Sequence, residues 1–255
     1  MNYQTLQVRY QGPICFIRFH RPEANNTIND RFVQECLDIL TICEDTANVV
    51  VLEGLPEVFC FGADFQELQE KWSSRPNEVH DPEPLYRVWL KLSLGPYVSV
   101  AHVRGKVNAG GVGFVAASDI VLADETAQFS LSEMLFGLYP ACVLPFLTRR
   151  VGFQRAHYLT LTTQQISAPQ AAAWGLVDAY EAQSDGLLRK HLLRLRRLSK
   201  TGITSYKAYA ASLDDGLQSA KVQALNANKM MFSEPRNQEG IMRYVNTGKF
   251  PWEDE

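Results

Sequence analysis

Two short stretches of this sequence give up side chains where a packed core would want them. "GKVNAGGVGFVAASD" (105–119) sets Gly110, Gly111 and Gly113 inside an apolar run. "VFCFGADFQEL" (58–68) sets Gly62 ahead of Ala63 and Asp64, just after the apolar "VVVLEG". Each reads as strand, glycine, helix. Such a junction aims backbone N–H groups outward at a helix start, where the dipole adds positive potential. Glycine also lets a ligand approach the main chain closely. Two ligands suit that place: a phosphate, or the oxyanion that develops on a carbonyl. No GxGxxG or GxxxxGK[ST] pattern is present, which counts against the phosphate. A lone glycine pair would read as a turn or as tight helix packing. Two junctions, each offering one N–H, can grip one oxygen together. Asp64 falls in a first helical turn, where an acid is favourable, and reads as a cap.

The elements that must position these junctions follow from periodicity. "TLQVRY" and "PICFIRFH" read as two strands around Gln11-Gly12. From Ile28 to about Asp45 apolar residues recur at helical spacing. "NVVVLEG" suits a strand covered on both faces. "ADFQELQEKW" starts a helix, "SSRPNEVHDPEP" is a loop, "PLYRVWLKLSL" is helical, and "YVSVAHV" is a strand leading into the glycines. "DIVLAD" and "AQFSLS" read as strands, "VLPFLTRRVG" and "FQRAHYLTL" as helices, and the rest from Ala168 as mainly helical. Strand and helix alternating at this interval predict an α/β fold with parallel pairing. The composition shifts near Leu187, where a basic helical stretch begins, and this sets a soft boundary between 1–186 and 187–255.

Composition narrows the function classes. The formal net charge is -3, so the chain as a whole is no general polyanion binder and no nucleic-acid partner is expected. The start lacks an apolar leader, and the longest uncharged stretch, Met134 to Thr148, is too short for a bilayer and contains Pro140 and Pro145. A soluble, cytoplasmic protein without a membrane partner is expected. The five cysteines form no CxxC pair and the five histidines no HxxxH pair, so no metal is expected.

With these residues in view, the chain resembles the crotonase family, the enoyl-CoA hydratases and isomerases, nearly end to end. "FHRPEANNTIND" is similar to the family's Asn-Arg-Pro loop, "FCFGADFQEL" to its AGAD segment, and "RGKVNAGGVGF" to its glycine-rich segment. "FSLSEMLFGLYP" and "ISAPQAAAWGLVD" match two more, in order. The resemblance implies a crotonase-type ββα spiral core with a C-terminal helical trimerisation region, giving a homotrimer or hexamer. It implies an acyl thioester held in an oxyanion hole, the acyl group riding on the phosphopantetheine of an acyl carrier protein or on CoA, with no other cofactor. By position the hole donors are the N–H groups of Ala63 and Gly110, with Gly62 and Gly111 beside them. The family's hydratases use two glutamates. Glu133 stands at one of those positions, and Gly113 stands where the other would be.

The segments "NNTIND", "EGLPEVFCFGADF", "HVRGKVNAGG", "LFGLYPACVLPFL" and "FPWEDE" look close to one branch of the family, the polyketide biosynthesis enoyl-CoA hydratases of β-branching. That likeness implies dehydration of 3-hydroxy-3-methylglutaryl thioester on an acyl carrier protein to 3-methylglutaconyl thioester, with a partner decarboxylase of the same family acting next. A single glutamate can take the α-proton and hand it to the departing hydroxide. Two alternatives stay open: a single-base isomerase or decarboxylase of the family, and a non-catalytic binding protein.

The substrate's free carboxylate asks for a cation. Arg104 and Lys106 flank the glycines, and solvated loop charges are an equal alternative for each. Asn108 is placed to hydrogen-bond the hydroxyl or carboxylate, or to cap the next helix. Tyr139, Cys142 and His102 are candidates for the acid missing at Gly113, with packing the plainer alternative. The helix "LLRKHLLRLRRLSK" carries Arg194, Arg196 and Arg197 opposite a leucine stripe. It reads first as a solvated helix docked on the core, and second as a dock for an acidic carrier protein.

Overall fold

The computed structural model describes residues 3–74 and 80–253. Residues 75–79, within the stretch read as a loop, and the last two residues of "FPWEDE" lie outside the described residues.

The chain opens with a hairpin, β1 (Leu6–Gln11) against β2 (Ile14–Phe19), in the expected register around Gly12. Helix α1 (Asp30–Thr46) follows; the Asn29 side chain caps it by accepting from the Phe32 N–H at 2.9 Å. Its Phe32, Cys36, Ile39, Leu40 and Cys43 face the core, as the spacing predicts. Then come β3 (Val49–Glu53), β4 (Val58–Cys60), α2 (Phe65–Ser74) and α3 (Glu83–Leu94). The next round is β5 (Val98–Val103), β6 (Lys106–Asn108) and α4 (Gly110–Ala117). A third begins with β7 (Ile120–Asp124) and β8 (Gln128–Ser130), followed by a 3-10 turn over Glu133–Phe136, α5 (Leu144–Val151) and α6 (Phe153–Thr162). Short β9 (Ile166–Ser167), α7 (Ala168–Trp174) and β10 (Ala179–Glu181) precede the C-terminal helices. These are α8 (Ser184–Leu195), α9 (Lys200–Leu213), α10 (Gly216–Ser219), α11 (Lys221–Ser233) and α12 (Pro235–Thr247).

Each round gives one strand to each of two sheets and then a helix. The larger sheet runs β1-β2-β3-β5-β7-β10, parallel from β2 onward, and the smaller runs β4-β6-β8-β9. In the smaller sheet β4, β6 and β8 are parallel and β9 runs against them. This is the expected ββα spiral. β3 is buried at every position, because one face of the large sheet packs on the α1, α3 and α4 side and the other is covered. The cover is α8: Leu187 and Leu188 sit on Phe16, Val49, Val51 and Val100. The basic helix is thus docked by its leucine stripe. The soft boundary at residue 187 falls inside α8, which lies across the strands.

The three-residue strands β4 and β6 are not visible as periodicity in the sequence. They carry the two glycine junctions side by side. No helix among the described residues is long and apolar enough to cross a membrane.

Candidate active site

Strands β4 and β6 lie parallel, so the segments after them leave the sheet together. Gly62 adopts φ +94°, a conformation open mainly to glycine. A Cβ there would sit 2.8 Å from the Ala109 Cβ and 3.6 Å from the Gly110 nitrogen. The junctions therefore touch. Ala63 is held on both sides by Ile28, whose N–H donates to the Gly62 carbonyl at 2.7 Å and whose carbonyl accepts from the Asp64 N–H at 3.0 Å. Ala109 takes φ +50° and ψ -122°, an unusual conformation for a residue with a side chain. Such strain costs on the order of 1–3 kcal/mol and must be held in place by its surroundings. It turns the peptide that carries the Gly110 N–H at the start of α4. Among the described residues neither the Ala63 nor the Gly110 N–H donates to the protein. Both residues line one cavity of about 900 Å³.

The other glycines answer to packing. A Cβ on Gly111 would overlap the Cys60 carbonyl oxygen. A Cβ on Gly113 would overlap the Trp89 indole carbons Cζ2 and Cε2 and lie 2.8 Å from Cη2. Of the three glycines only Gly110 faces the cavity, so the expectation that all serve ligand approach is corrected. Glycine at position 113 supplies no second carboxylate, and the Trp89 indole packs against that position.

Glu133 begins the 3-10 turn and lines the same cavity. Its Oε2 is buried with no protein partner. Burial pushes its carboxyl up to about 7. A group titrating there suits proton transfer at neutral pH. Two N–H donors and one unpaired carboxylate on one cavity are the parts needed to enolise an acyl thioester and stabilise its oxyanion.

Asp64 caps α2 as expected, accepting from the Glu67 N–H at 3.1 Å. It also accepts from Arg21 at 2.9 Å and from Thr27 at 3.1 Å, tying the Arg-Pro loop to the first junction. Buried Asn26 completes that tie through the carbonyls of Phe19, Val58 and Phe59.

The remaining candidates divide. Asn108 lines the cavity, but its Oδ1 accepts from Ser130 at 2.9 Å and its Nδ2 donates to Ser132 at 2.8 Å. It fixes the segment leading into Glu133, and it does not cap α4. Tyr139 and Cys142 also line the cavity. The Cys142 thiol donates to the Ala224 carbonyl at 3.6 Å, and burial pushes it up to about 12, too weak an acid for the missing role. Arg104 and Lys106 do not line the cavity: Arg104 lies 3.7 Å from Asp185, and Lys106 is exposed on β6. Arg104 lies between β5 and β6, and Lys106 opens β6 two residues ahead of Asn108, so both sit at the end of the strand remote from the junction that follows. His102 is sealed in the sheet between Glu53 and Ser184, outside the cavity. Sequence reasoning missed Lys71, the only lysine or arginine lining the cavity among the described residues, paired with Asp30 at 2.5 Å and Glu67 at 2.8 Å. It also missed Trp89 and Asn228, whose spacing marks them only as helix residues.

The enoyl-CoA hydratase/isomerase family model matches residues 9–255. The chain belongs to the enoyl-CoA hydratase/isomerase family. As a member it is an enzyme of the hydratase/dehydratase type, with the family's α/β fold. It is 62% identical over 100% of its length, and 99% of the relative's, to bacillaene synthase dehydratase PksH of Bacillus subtilis (strain 168). The crystal structure of that organism's pksH superposes with a TM-score of 0.96, at 62% identity, covering 98% of this chain and 100% of that one. The mevalonyl-coenzyme A hydratase sidH of Aspergillus fumigatus is 29% identical over 94% of this chain and 91% of its own. The branch of the family that the motifs resemble, the polyketide biosynthesis enoyl-CoA hydratases, is thus shown by a full-length relative.

Proposed function

We propose that this enzyme dehydrates 3-hydroxy-3-methylglutaryl thioester, carried on an acyl carrier protein, to 3-methylglutaconyl thioester in polyketide β-branching. The observation that carries the reading is Glu133, an unpartnered buried carboxyl on the cavity that two free N–H groups share, with Trp89 in place of a second acid. The full-length relative named a dehydratase of bacillaene synthase supports the reaction and the carrier-borne donor. The mevalonyl group of the second relative also carries a hydroxyl and a methyl on C3, which supports the substrate class.

The thioester oxygen sits between the Ala63 and Gly110 N–H groups, with Gly110 leaving the approach open. The Glu133 carboxylate takes the C2 proton, and the electron pair moves toward the carbonyl. The enolate then expels the C3 oxygen. Glu133 returns the proton to that hydroxide, so water leaves and the carboxylate is regenerated. Each hole donor is worth about 100- to 1000-fold in rate.

A carboxylated product suits a decarboxylase acting next. Exposed Tyr206, Tyr209, Leu213, Val222 and Met230 on α9 and α11 support self-assembly to a trimer or hexamer. A cytoplasmic location fits a carrier-dependent enzyme.

The test is mass spectrometry of the intact carrier loaded with 3-hydroxy-3-methylglutaryl, with the CoA ester in parallel. Loss of one water from the carrier-bound group supports the reading. Loss of carbon dioxide, or an unchanged mass, replaces it.

A further inference from the structure

We propose that Trp89 and Asn228 hold the C3 hydroxyl of the substrate, in the space a second carboxylate would occupy if residue 113 were a glutamate. This rests on the dehydratase reading above. Among the described residues four buried side-chain polar atoms lack a protein partner: His20 Nδ1, Trp89 Nε1, Glu133 Oε2 and Asn228 Oδ1. Three of the four belong to residues lining the one cavity. A buried polar group left unpaired is costly, so three on one cavity mark it as built for a polar ligand. Glu133 is accounted for by proton transfer. The other two are not.

Trp89 is 1% exposed. Its ring is fixed edge-on to Phe114 at 6.0 Å and to Phe146 at 5.7 Å. Gly113 gives it room: a Cβ there would overlap Cε2, the carbon bonded to the unpaired Nε1. Gly113 and Trp89 thus form an exchanged pair, in which the helix that would supply an acid supplies no side chain and a neighbouring helix supplies an indole. An indole N–H donates only and does not ionise at any working pH. Trp89 therefore moves no proton. It binds oxygen.

Asn228 lies on α11, one helical turn after Ala224, whose carbonyl the Cys142 thiol reaches. Its Oδ1 supplies an acceptor. An alcohol accepts one hydrogen bond and donates another. The Trp89 N–H donates to the C3 oxygen and the C3 O–H donates to Asn228 Oδ1. With the hydroxyl gripped by two neutral groups, Glu133 is left as the carrier of both protons. The pair selects for an acyl thioester bearing a C3 hydroxyl over one without it.

The test uses Glu133→Gln protein, in which ligands stay intact, and calorimetric binding of two pairs of thioesters. One pair is 3-hydroxy-3-methylglutaryl-CoA and 3-methylglutaryl-CoA; the other is 3-hydroxybutyryl-CoA and butyryl-CoA. Two net hydrogen bonds predict a hydroxyl preference of about tenfold or more. Adding Trp89→Phe, or separately Asn228→Leu, is expected to cut the preference to about threefold or less while the deoxy ligands bind within about twofold of before. Asn228→Leu keeps the test alive if Trp89→Phe folds poorly. A preference undiminished in both variants, or none in the parent, overturns the proposal. The second pair separates the two ideas. Loss of preference for the butyryl pair, in a wild type that does not dehydrate the methylglutaryl substrate, overturns the substrate reading alone. Dehydration with an unaltered preference overturns the role of Trp89 and Asn228 alone.

Discussion

Two glutamates with buried carboxyl oxygens sit in opposite worlds. Glu53 on β3 is 4% exposed, with His102 at 3.3 Å and Arg9 at 3.4 Å. The far nitrogen of His102 meets Ser184 Oγ at 2.7 Å. Serine, histidine and glutamate in a row have the look of a nucleophilic triad, yet all three are buried where the start of α8 meets the sheet and none lines the cavity. Glu133 has no such partners and faces open space. Burial acts to raise both carboxyls. At Glu53 the histidine and the two arginines, Arg9 and Arg18, outweigh it and hold the group below the usual range. At Glu133 nothing outweighs it. A fully satisfied polar chain rigidifies, whereas an unsatisfied one beside a cavity waits for a ligand.

The comparison breaks first at turnover. Glu133→Gln is expected to lower kcat by roughly 100- to 10,000-fold, followed as water loss by mass spectrometry. Glu53→Gln keeps wild-type turnover. If both variants lose activity alike, the sealed chain has a part in the chemistry. Next comes stability: Glu53→Ala leaves His102 and the arginines without their acid and costs about 3–5 kcal/mol in urea unfolding. Glu133→Ala shows no such loss. In the hole, Gly62→Ala forces a side chain into φ +94° and against Ala109, with a rate loss of about 100-fold. Gly110→Ala meets only the flexible Ile28 Cδ1 at 3.0 Å and is far milder.

The pH dependence sharpens the contrast because the signs are opposite. Glu133 titrates near 7 when folded, above the ordinary carboxylate value of 4.5. Its contribution is present below 4.5 and lost as pH rises through 7. Glu53 is held low, so its contribution is present above the ordinary value and lost as pH falls through its folded one. Glu133→Gln is thus expected to gain stability over wild type between pH 5 and pH 8, on the order of 2 kcal/mol, by urea titration. Glu53→Gln loses least at acid pH. The rate kcat/KM should rise with pH through about 7 and flatten in Glu133→Gln. The smallest effect is expected at Arg104→Ala and Lys106→Ala, which leave KM near wild type.

The sequence carries the long elements well. Helix α1 and strands β3 and β5 are written in their spacing, and the two glycine junctions mark where the two free N–H groups meet the cavity. Glu133 is legible only through the family motif, since its run "SLSEML" has no periodicity of its own. The three-residue strands that align the junctions leave no pattern to read. Gly113 can be seen as a missing acid, but its replacement lies 24 positions earlier in another helix. That exchange is spatial. Asn228 is one polar residue in a polar helix, and its unpaired oxygen exists only once α11 is in place.

Helices α11 and α12 supply Asn228, Phe232 and Tyr244 to the cavity, and Phe250 beyond them packs on Phe136 and Tyr244. A nascent chain that has reached only residue 220 holds both amides and Glu133 under no roof. The cavity is thus closed by late-made helices, after the segments that carry the two amides and Glu133 have already been synthesised.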